Sequence, residues 1–297
     1  MRSEPTFSPA ANEHVVWLKP APKLRAGPLG AGARVLALIP AYNPAPDELA
    51  ATLRSMLVQT APVDICLVDD GSTPAIEIPE FARGRTLLLR LPANGGITAA
   101  LRAGAQFAFQ NDYEYICRLD VGDRSYPRRV ERQLQFLDEH ADVDLVGAFA
   151  RVADTSGRTL FHHGIRGGPA AVSAYLRKNS PFRHSTFFVR TQALIASGNY
   201  RTAFDGAEDY ELLLRLSETG GVDCLGETLI DYVVDPRGIS ESHRSRQLRK
   251  RLAAQLAHLA PCDPAAYAGV LRTLIVMLTP RALALRATLW TWRRRSA

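Results

Sequence analysis

The chain has 297 residues, of which 46% are hydrophobic and 22% are charged, and this composition excludes an intrinsically disordered protein. The formal net charge of +6 comes from arginine-rich clusters at residues 237–251 and 293–295. Such clusters suit phosphate-bearing ligands, anionic lipids or nucleic acid, although most runs of charge only face solvent. No signature of an RNA- or DNA-binding module is present, so we expect no nucleic-acid partner.

The cysteines and the apolar segments bear on the cellular compartment. The four cysteines are too scattered for a zinc site or a disulfide framework, which favours a reducing cytoplasm. The first residues lack the apolar run of a signal peptide, and no segment approaches 18 uncharged apolar residues. We therefore expect a cytoplasmic protein without a membrane-spanning helix, placed either free or at the inner face of the cell membrane.

The composition changes along the chain and predicts three parts. Residues 1–33 are rich in Pro, Ala and Gly, which is typical of a flexible arm. Residues 34–240 predict one α/β domain, with a first half over 34–150 and a second half over 151–240. Residues 241–297 predict a basic, amphipathic, helical extension.

Strands and helices alternate through the first half of the predicted domain. Buried apolar runs predict strands at 35–39, 64–68, 86–91, 115–119 and 143–149, and segments with helical periodicity separate several of them. This alternation predicts a mostly parallel central sheet with right-handed crossovers and helices on both faces. In the second half, we expect strands at 184–189, 222–225 and 229–233 and a helix over 207–216.

Polar clusters follow four successive strands of the first half, and the carboxyl edge of an open α/β sheet is where ligands bind. The clusters are Pro40-Ala41-Tyr42-Asn43, Asp69-Asp70-Gly71-Ser72, Asn94-Gly95-Gly96 and Asp120-Val121-Gly122-Asp123.

Three of these clusters have a candidate chemical role, and each of the three could instead have only a structural role in a turn. Asp69 and Asp70 could accept hydrogen bonds from a nucleobase imide or ribose hydroxyls, or they could be turn formers. The 94–96 segment could let a ligand approach the backbone closely, or it could be a simple loop-to-helix turn. Asp120 and Asp123 are candidate ligands for a cation on a diphosphate and for ribose, or they could form a solvated turn together with Gly122.

A second acidic site lies at the start of the predicted helix over 207–216. Asp209, with Glu208 beside it, is a candidate general base, since a carboxylate near the donor can accept the acceptor's proton. The alternative is an acidic first turn that interacts with the helix dipole.

Taken together, these motifs resemble those of family two glycosyltransferases. The resemblance covers residues 34 to about 240 and rests on the order and spacing of the four clusters, Arg118-Leu119-Asp120, His184-Ser185-Thr186 and Glu208-Asp209-Tyr210. It implies a GT-A fold and inversion at the anomeric carbon by direct displacement. It also implies a hexosyl or deoxyhexosyl donor on UDP or dTDP, and an acceptor on a lipid-linked or surface-glycan intermediate of the cell envelope.

The resemblance further implies roles for individual residues. Pro40, Ala41, Tyr42 and Asn43, with Asp69 or Asp70, are expected to hold the nucleotide together with Asn94, Gly95, Gly96 and Asp120. Asp120 and a partner are expected to bind Mg²⁺ or Mn²⁺, and Asp209 is expected to be the base. Three weaker candidates, His184, Glu208 and Arg237, are expected near the diphosphate or the acceptor in this interpretation.

One position departs from the family pattern. Relatives commonly carry Asp-x-Asp-Asp in the metal loop, whereas Gly122 replaces the middle acid here. Loss of a carboxylate should weaken a site for a hard cation. The hypothesis is therefore that Asp123 supplies the second metal contact, and the alternative is that basic residues replace part of the metal's role.

Two questions remain open at this stage. Residues 266–297 combine leucines, tryptophans and arginines, which suits either peripheral binding to a membrane or packing on the domain or a second subunit. Gly122 also leaves room for an alternative function, namely a non-catalytic nucleotide-sugar-binding subunit of a glycan assembly complex. The presence of Asp209 favours the enzyme.

Overall fold

The computed structural model describes residues 32–234 and 244–280, together with Leu283 and Thr291. The strands of the described part are β1 Val35–Ala41, β2 Asp64–Asp69, β3 Thr86–Arg90, β4 Tyr115–Arg118, β5 Arg124–Ser125, β6 Val143–Asp154, β7 Thr159–His163, β8 Phe188–Arg190 and β9 Gly221–Val234. Its α-helices are α1 Pro46–Leu57, α2 Ile97–Gln110, α3 Arg129–Glu139, α4 Gly168–Leu176, α5 Thr191–Ala196, α6 Glu208–Thr219, α7 Arg244–Ala257 and α8 Pro264–Leu278.

All of these strands join one mixed sheet in the order β3-β2-β1-β4-β8-β6-β9-β5, and β7 pairs with β6. Strands β1 to β4 are parallel to one another, and β6 is parallel to β9. Strand β8 is antiparallel to both β4 and β6, so β4 and β6 run in the same direction. The predicted α/β fold with a mostly parallel sheet is confirmed.

Helices cover both faces of the parallel half because its strands are apolar on both sides. All seven residues of β1 are buried, and alternate residues enter different cores. Leu36 and Leu38 pack in the core that contains α2, whereas Ala37 and Ile39 pack in the core that contains α1 and α3. A strand enclosed in this way has an uninterrupted apolar sequence.

Two predicted strand assignments need correction. The segment predicted as a strand over 184–189 begins as a 3₁₀ turn, His184–Thr186, and only Phe188–Arg190 pairs in the sheet. The two strands predicted at 222–225 and 229–233 are one strand, β9, with register irregularities opposite Ala148 and Phe149. A bulge keeps a strand continuous while shifting its register, which the sequence pattern does not distinguish from a turn.

The C-terminal extension begins with α7, which packs against α6, and α8 packs on α7. Helix α8 ends at Leu278, two residues before Pro280. The arm over 1–31, the segment over 235–243 and most of 281–297 lie outside the described residues. The proposed boundaries at residues 33 and 240 therefore stay predictions.

A buried ionic network attaches α7 to the domain. The Glu211 carboxylate accepts hydrogen bonds from Arg215 at 2.8 and 3.0 Å and from Arg201 at 3.1 Å. His258, the residue directly after α7, lies 2.9 Å from Glu218 and 3.4 Å from Glu211. Burial opposes ionisation of Glu211, but the hydrogen bonds from His258 and Arg215 outweigh it and lower its pKa to about 2. The hydrogen bond to Glu211 raises the pKa of His258 despite partial burial, and Glu218 adds to the effect.

These shifts predict how stability depends on pH. Because the pKa of His258 is raised in the folded state, its charged form stabilises the fold fully below about pH 6.5, and this contribution disappears as pH rises through the folded-state pKa. The difference in free energy of unfolding between wild type and His258→Gln should therefore shrink between pH 6 and pH 9, as measured by urea denaturation. His140→Gln, on the exposed end of α3, is the control. A difference that grows with pH would contradict this assignment.

Candidate active site

The carboxyl ends of β1, β2 and β4 bring three of the predicted clusters to one edge of the sheet. In the parallel register, Ala41 pairs with Asp69 and Leu38 pairs with Arg118, so the loops that follow these strands are neighbours. The remaining cluster, Asn94 to Gly96, follows β3 and approaches the same edge of the sheet before α2 begins at Ile97.

Asp69 and Asp70 have different environments. Asp69 is fully buried and accepts hydrogen bonds from the Ser72 N–H at 2.8 Å, the Ile76 N–H at 3.3 Å and Arg90 at 2.9 Å. Burial opposes its ionisation, but the Ser72 hydrogen bonds and the other donors lower its pKa. Asp69 therefore organises its loop, which leaves Asp70 as the better candidate for contact with a nucleotide.

Asp70 connects the second cluster to the third. Its Oδ1 accepts the Gly95 N–H at 2.9 Å, and burial raises its pKa. Beside it, Gly71 has a φ of +72° and lies so close to the neighbouring loop that a Cβ would be 2.5 Å from the Ala93 carbonyl carbon. Glycine at 71 is thus required both by backbone conformation and by close packing.

A Gly71→Ala substitution is expected to lower the free energy of unfolding by about 2–4 kcal/mol, because strain at positive φ adds to a collision with backbone. Gly157→Ala is the matched control, since Gly157 has a φ of +83° but no heavy atom within 4 Å of a Cβ. The control should lose only about 1–2 kcal/mol. Equal losses in the two variants, measured by urea denaturation, would show that the contact with Ala93 is unimportant.

The first cluster contributes one exposed aromatic ring. Pro40 and Ala41 belong to the buried strand β1, whereas Tyr42 is 48% exposed. Asn43 fixes this loop to the second one, because its N–H donates to Ser72 Oγ and its Oδ1 accepts the Thr73 N–H, both at 2.9 Å. Of these four residues, Tyr42 is the one placed to contact a ligand through its side chain.

A buried arginine lies at the centre of the acidic site. Arg118 is only 1% exposed and donates through Nη1 to Asp120 and, at 3.0 Å, to Ser185 Oγ. The Ser185 hydroxyl in turn lies within hydrogen-bonding distance of Asp120, at 3.0 Å, and of Asp123. The Arg118 guanidinium and the Ser185 hydroxyl therefore hold together the two carboxylates of the loop that runs from Asp120 to Asp123.

The two acids of this loop differ in accessibility. The Asp120 side chain is 33% exposed, whereas Asp123 is buried and its Oδ1 accepts the Val233 N–H at 3.2 Å. Burial, together with the charge of Asp120, raises the pKa of Asp123 to about 7. The Asp120 carboxylate is therefore accessible to a ligand, whereas the buried Asp123 connects the loop to β9 through Val233.

Gly122 belongs to the same loop and has open space beside its Cα. It has a φ of +97°, its N–H donates to Thr52 Oγ at 3.0 Å, and a Cβ would meet no heavy atom within 4 Å. Within the described ranges, no group of three His, Cys, Asp or Glu side chains is arranged to hold a metal ion. A cation that takes one or two carboxylates and completes its shell with phosphate oxygens and water still fits Asp120.

Glu208 and Asp209 are adjacent acids in the first turn of α6. Glu208 accepts the Gly206 N–H and Asp209 accepts the Tyr210 N–H, each at 2.7 Å. Burial and the charge of Asp209 raise the pKa of Glu208 to about 8, and burial also raises the pKa of Asp209. The charge of Arg118 opposes both rises, so this pair and the metal loop lie around the same buried cation.

His184 packs among aromatic side chains beside the site. Its ring packs against Phe187 and Tyr200, and its Nε2 is 3.1 Å from the Tyr200 hydroxyl. Burial and the nearby charge of Arg118 hold its pKa well below the usual range. Another of the weaker candidates, Arg237, lies outside the described residues.

Helix α7 closes one flank of the site, which the sequence did not indicate. Arg251 stacks over the Tyr210 ring at 4.4 Å. Arg246 donates to Asp205 at 2.5 Å, and Asp205 accepts a hydrogen bond from Thr98 in the first turn of α2 at 2.7 Å. The roles of Arg118 and Ser185 were also missed, although an arginine within a buried apolar strand is a signal, since buried charges are almost always paired.

The mixed sheet and the helices on its faces define an α/β fold of the GT-A type. The crystal structure of Staphylococcus aureus TarS in complex with UDP-GlcNAc has a similar fold, with a TM-score of 0.59 and 18% sequence identity, over 80% of this chain and 72% of that chain. The sequence model of glycosyl transferase family 2 matches residues 37–198. The chain therefore belongs to glycosyl transferase family 2, and the resemblance seen in its motifs is confirmed.

Two curated relatives agree with this family. An uncharacterized glycosyltransferase of Haemophilus influenzae is 30% identical over 181 residues, which are 59% of this chain and 66% of the relative. The amylovoran biosynthesis glycosyltransferase AmsE of Erwinia amylovora is 30% identical over 189 residues, which are 62% of this chain and 69% of the relative. The enzyme class is accordingly that of the glycosyltransferases.

Proposed function

We propose that the chain is an inverting glycosyltransferase that moves a sugar from a nucleotide diphosphate to a hydroxyl of a lipid-linked or surface-glycan intermediate. The observation that carries the proposal is the arrangement around Arg118, where the exposed carboxylate of Asp120 and the acidic pair Glu208 and Asp209 share one buried cation. The loops that carry Tyr42 and Asp70 lie on the same sheet edge.

The donor fits this edge through its nucleotide end. The exposed Tyr42 ring offers a surface for a pyrimidine base, and Asp70 offers an acceptor for an imide or a ribose hydroxyl. We favour a UDP- or dTDP-sugar, and the complex of the TarS neighbour with UDP-GlcNAc is consistent with this choice. Asn94 to Gly96, tied to Asp70 through the Gly95 N–H, forms the adjoining wall.

Asp209 is the proposed base. It accepts the proton of the acceptor hydroxyl as the acceptor oxygen forms a bond to the anomeric carbon, while the bond from that carbon to the diphosphate oxygen breaks and its electron pair leaves with the diphosphate. Attack opposite the leaving group inverts the anomeric centre. Burial and the charge of Asp209 raise the pKa of Glu208, which favours Asp209 as the charged member of the pair.

Mg²⁺ or Mn²⁺ would be held by Asp120, with Asp123 as the second candidate, and would neutralise the charge of the diphosphate. Asp123 is the less accessible of the two acids, because its side chain is buried and both of its oxygens already accept hydrogen bonds. Arg118 keeps Asp120 in place whether or not Asp123 is a ligand.

The cellular setting is part of the proposal. The four cysteines are unpaired and three of them are buried, which fits a reducing cytoplasm. No helix of the described ranges is long and apolar enough to cross a membrane. The name of AmsE, an amylovoran biosynthesis glycosyltransferase, supports a place in polysaccharide biosynthesis.

A thermal-shift screen of nucleotide sugars, with and without Mn²⁺, tests the donor and the metal together. A ligand that binds only the folded state raises the melting temperature by mass action. We expect a UDP- or dTDP-sugar to raise it, more so with Mn²⁺, and Asp120→Asn to remove the metal-dependent part. Shifts from purine nucleotide sugars alone would contradict the proposed donor class.

The alternative of a non-catalytic nucleotide-sugar-binding subunit predicts a different outcome. Wild type would then bind the donor in the screen but release no nucleotide on prolonged incubation with acceptor-bearing membranes. Release that depends on Asp209 would exclude this alternative.

A further inference from the structure

Helix α8 exposes several large apolar side chains to solvent, which a helix that packs only on its own domain would bury. Its buried positions are small or polar, namely Ala266, Gly269 and Thr273. Its exposed positions, spaced three or four residues apart, form one apolar face between 41% and 87% exposed, and they are Tyr267, Leu271, Leu274, Ile275 and Leu278. An amphipathic surface helix normally shows the reverse arrangement.

From the first residue of α8 onward, the charged residues of the sequence have a single sign. From residue 264 to the last residue, the sequence contains six arginines and neither Asp nor Glu: Arg272, Arg281, Arg286, Arg293, Arg294 and Arg295. Arg272 is exposed on α8 itself. At the end of α8, Arg244 of α7 donates to the Val276 carbonyl at 2.7 Å and the Thr279 carbonyl at 3.2 Å, which adds a cation beside Leu278.

These features identify the chemistry of the surface that covers the face. A second copy in a two-fold dimer would bring the exposed Arg272 of both copies to the same interface, where like charges repel. An anionic bilayer offers both an apolar layer for leucine and tyrosine side chains and negative headgroups for arginines. We propose that the α8 face, defined as Tyr267, Leu271, Leu274, Ile275 and Leu278, seats the protein on an anionic lipid surface.

This contact is separate from the sugar-transfer site. The α8 face is nevertheless linked to that site through α7, which lies between α8 and the acidic pair and packs on α6. Through Arg251 and Tyr210, the same helix contacts the first turn that carries Asp209. The membrane contact would thus hold the flank of the site at a fixed distance from a lipid-linked substrate.

Vesicle flotation of the full chain tests the proposal. The variants are Leu271→Glu/Ile275→Glu and, as a matched control, Val58→Glu, since Val58 is equally exposed at 59% but lies at the end of α1. Wild type and control should float with vesicles of phosphatidylcholine and phosphatidylglycerol, and raised salt should weaken the binding. The double variant should partition at least about tenfold less, because two apolar side chains no longer insert.

Unchanged thermal melting and unchanged donor binding in the double variant would show that the fold and the sugar site are intact. Equal flotation of the double variant and wild type, or failure of wild type to float with anionic vesicles, would overturn the proposal. A wild-type dimer in light scattering that the double variant dissociates would also overturn it, since the face would then be covered by a second copy. None of these outcomes depends on sugar transfer.

Discussion

Asp209→Asn is expected to lower kcat by about 10²–10⁴-fold, the usual contribution of a general base, while donor affinity changes little. The amide has nearly the shape of the carboxylate and can still accept the Tyr210 N–H. It cannot accept the acceptor's proton. Steady-state transfer rates, combined with donor binding by calorimetry, separate loss of the base from loss of binding.

Glu208→Gln is the matched control for this variant. Glu208 is adjacent and buried, and its pKa of about 8 means that the substitution removes little charge at neutral pH. We expect less than about a tenfold loss of kcat, because the group is not the base. A larger loss in Glu208→Gln than in Asp209→Asn would reverse the assignment of the two acids.

The pH profile of the wild type checks the same pair. Burial raises the pKa of Asp209, so its charged form is lost at a higher pH than for an exposed aspartate, whose pKa is about 3.9. Because the base must be charged, kcat/KM should fall as pH decreases through this raised value. The two acids interact, so the apparent pKa belongs to the pair.

Arg118→Met is the second substitution with a large expected effect. It leaves Asp120 and Asp123 beside each other without their cation, and breaking a buried ion pair costs about 3–5 kcal/mol. We expect the free energy of unfolding to fall by about 3 kcal/mol, since Asp120 is partly exposed, and kcat/KM to fall by about 10²-fold or more.

Arg129→Met separates the effect on the site from the loss of a buried arginine. Arg129 is fully buried, but it donates to Gln133 and to the carbonyls of Arg118 and Phe187, not to a carboxylate. It should lower stability by about 1–3 kcal/mol and change kcat/KM far less than Arg118→Met. Equal losses of activity at equal stability would mean that Arg118 has only a structural role.

Local sequence signals predicted the parallel half of the sheet well. In β1 and β2, an unbroken apolar run followed by polar residues marks both the strand and the edge at which it ends. In the second half the signals are weaker. The antiparallel strand β8 is only three residues long and lies between β4 and β6, a placement fixed by pairing with strands distant in the sequence.

The arrangement of the acidic site could be predicted only in part. That Asp120 and Asp123 share a loop follows from their spacing, but the burial of Asp123 depends on Val233, 110 residues away. The same holds for Ser185, which contacts both acids from a 3₁₀ turn. Spacing along the chain does not show which side of a loop a distant segment covers.

The most direct test of the proposed function is the configuration of the transferred sugar. The donor selected by the thermal-shift screen is incubated with the enzyme and an acceptor, and the anomeric proton of the new glycoside is observed by nuclear magnetic resonance. Displacement assisted by Asp209 predicts the configuration opposite to that of the donor, and product formation that is about 10²–10⁴-fold slower with Asp209→Asn. A product that retains the donor configuration would contradict it.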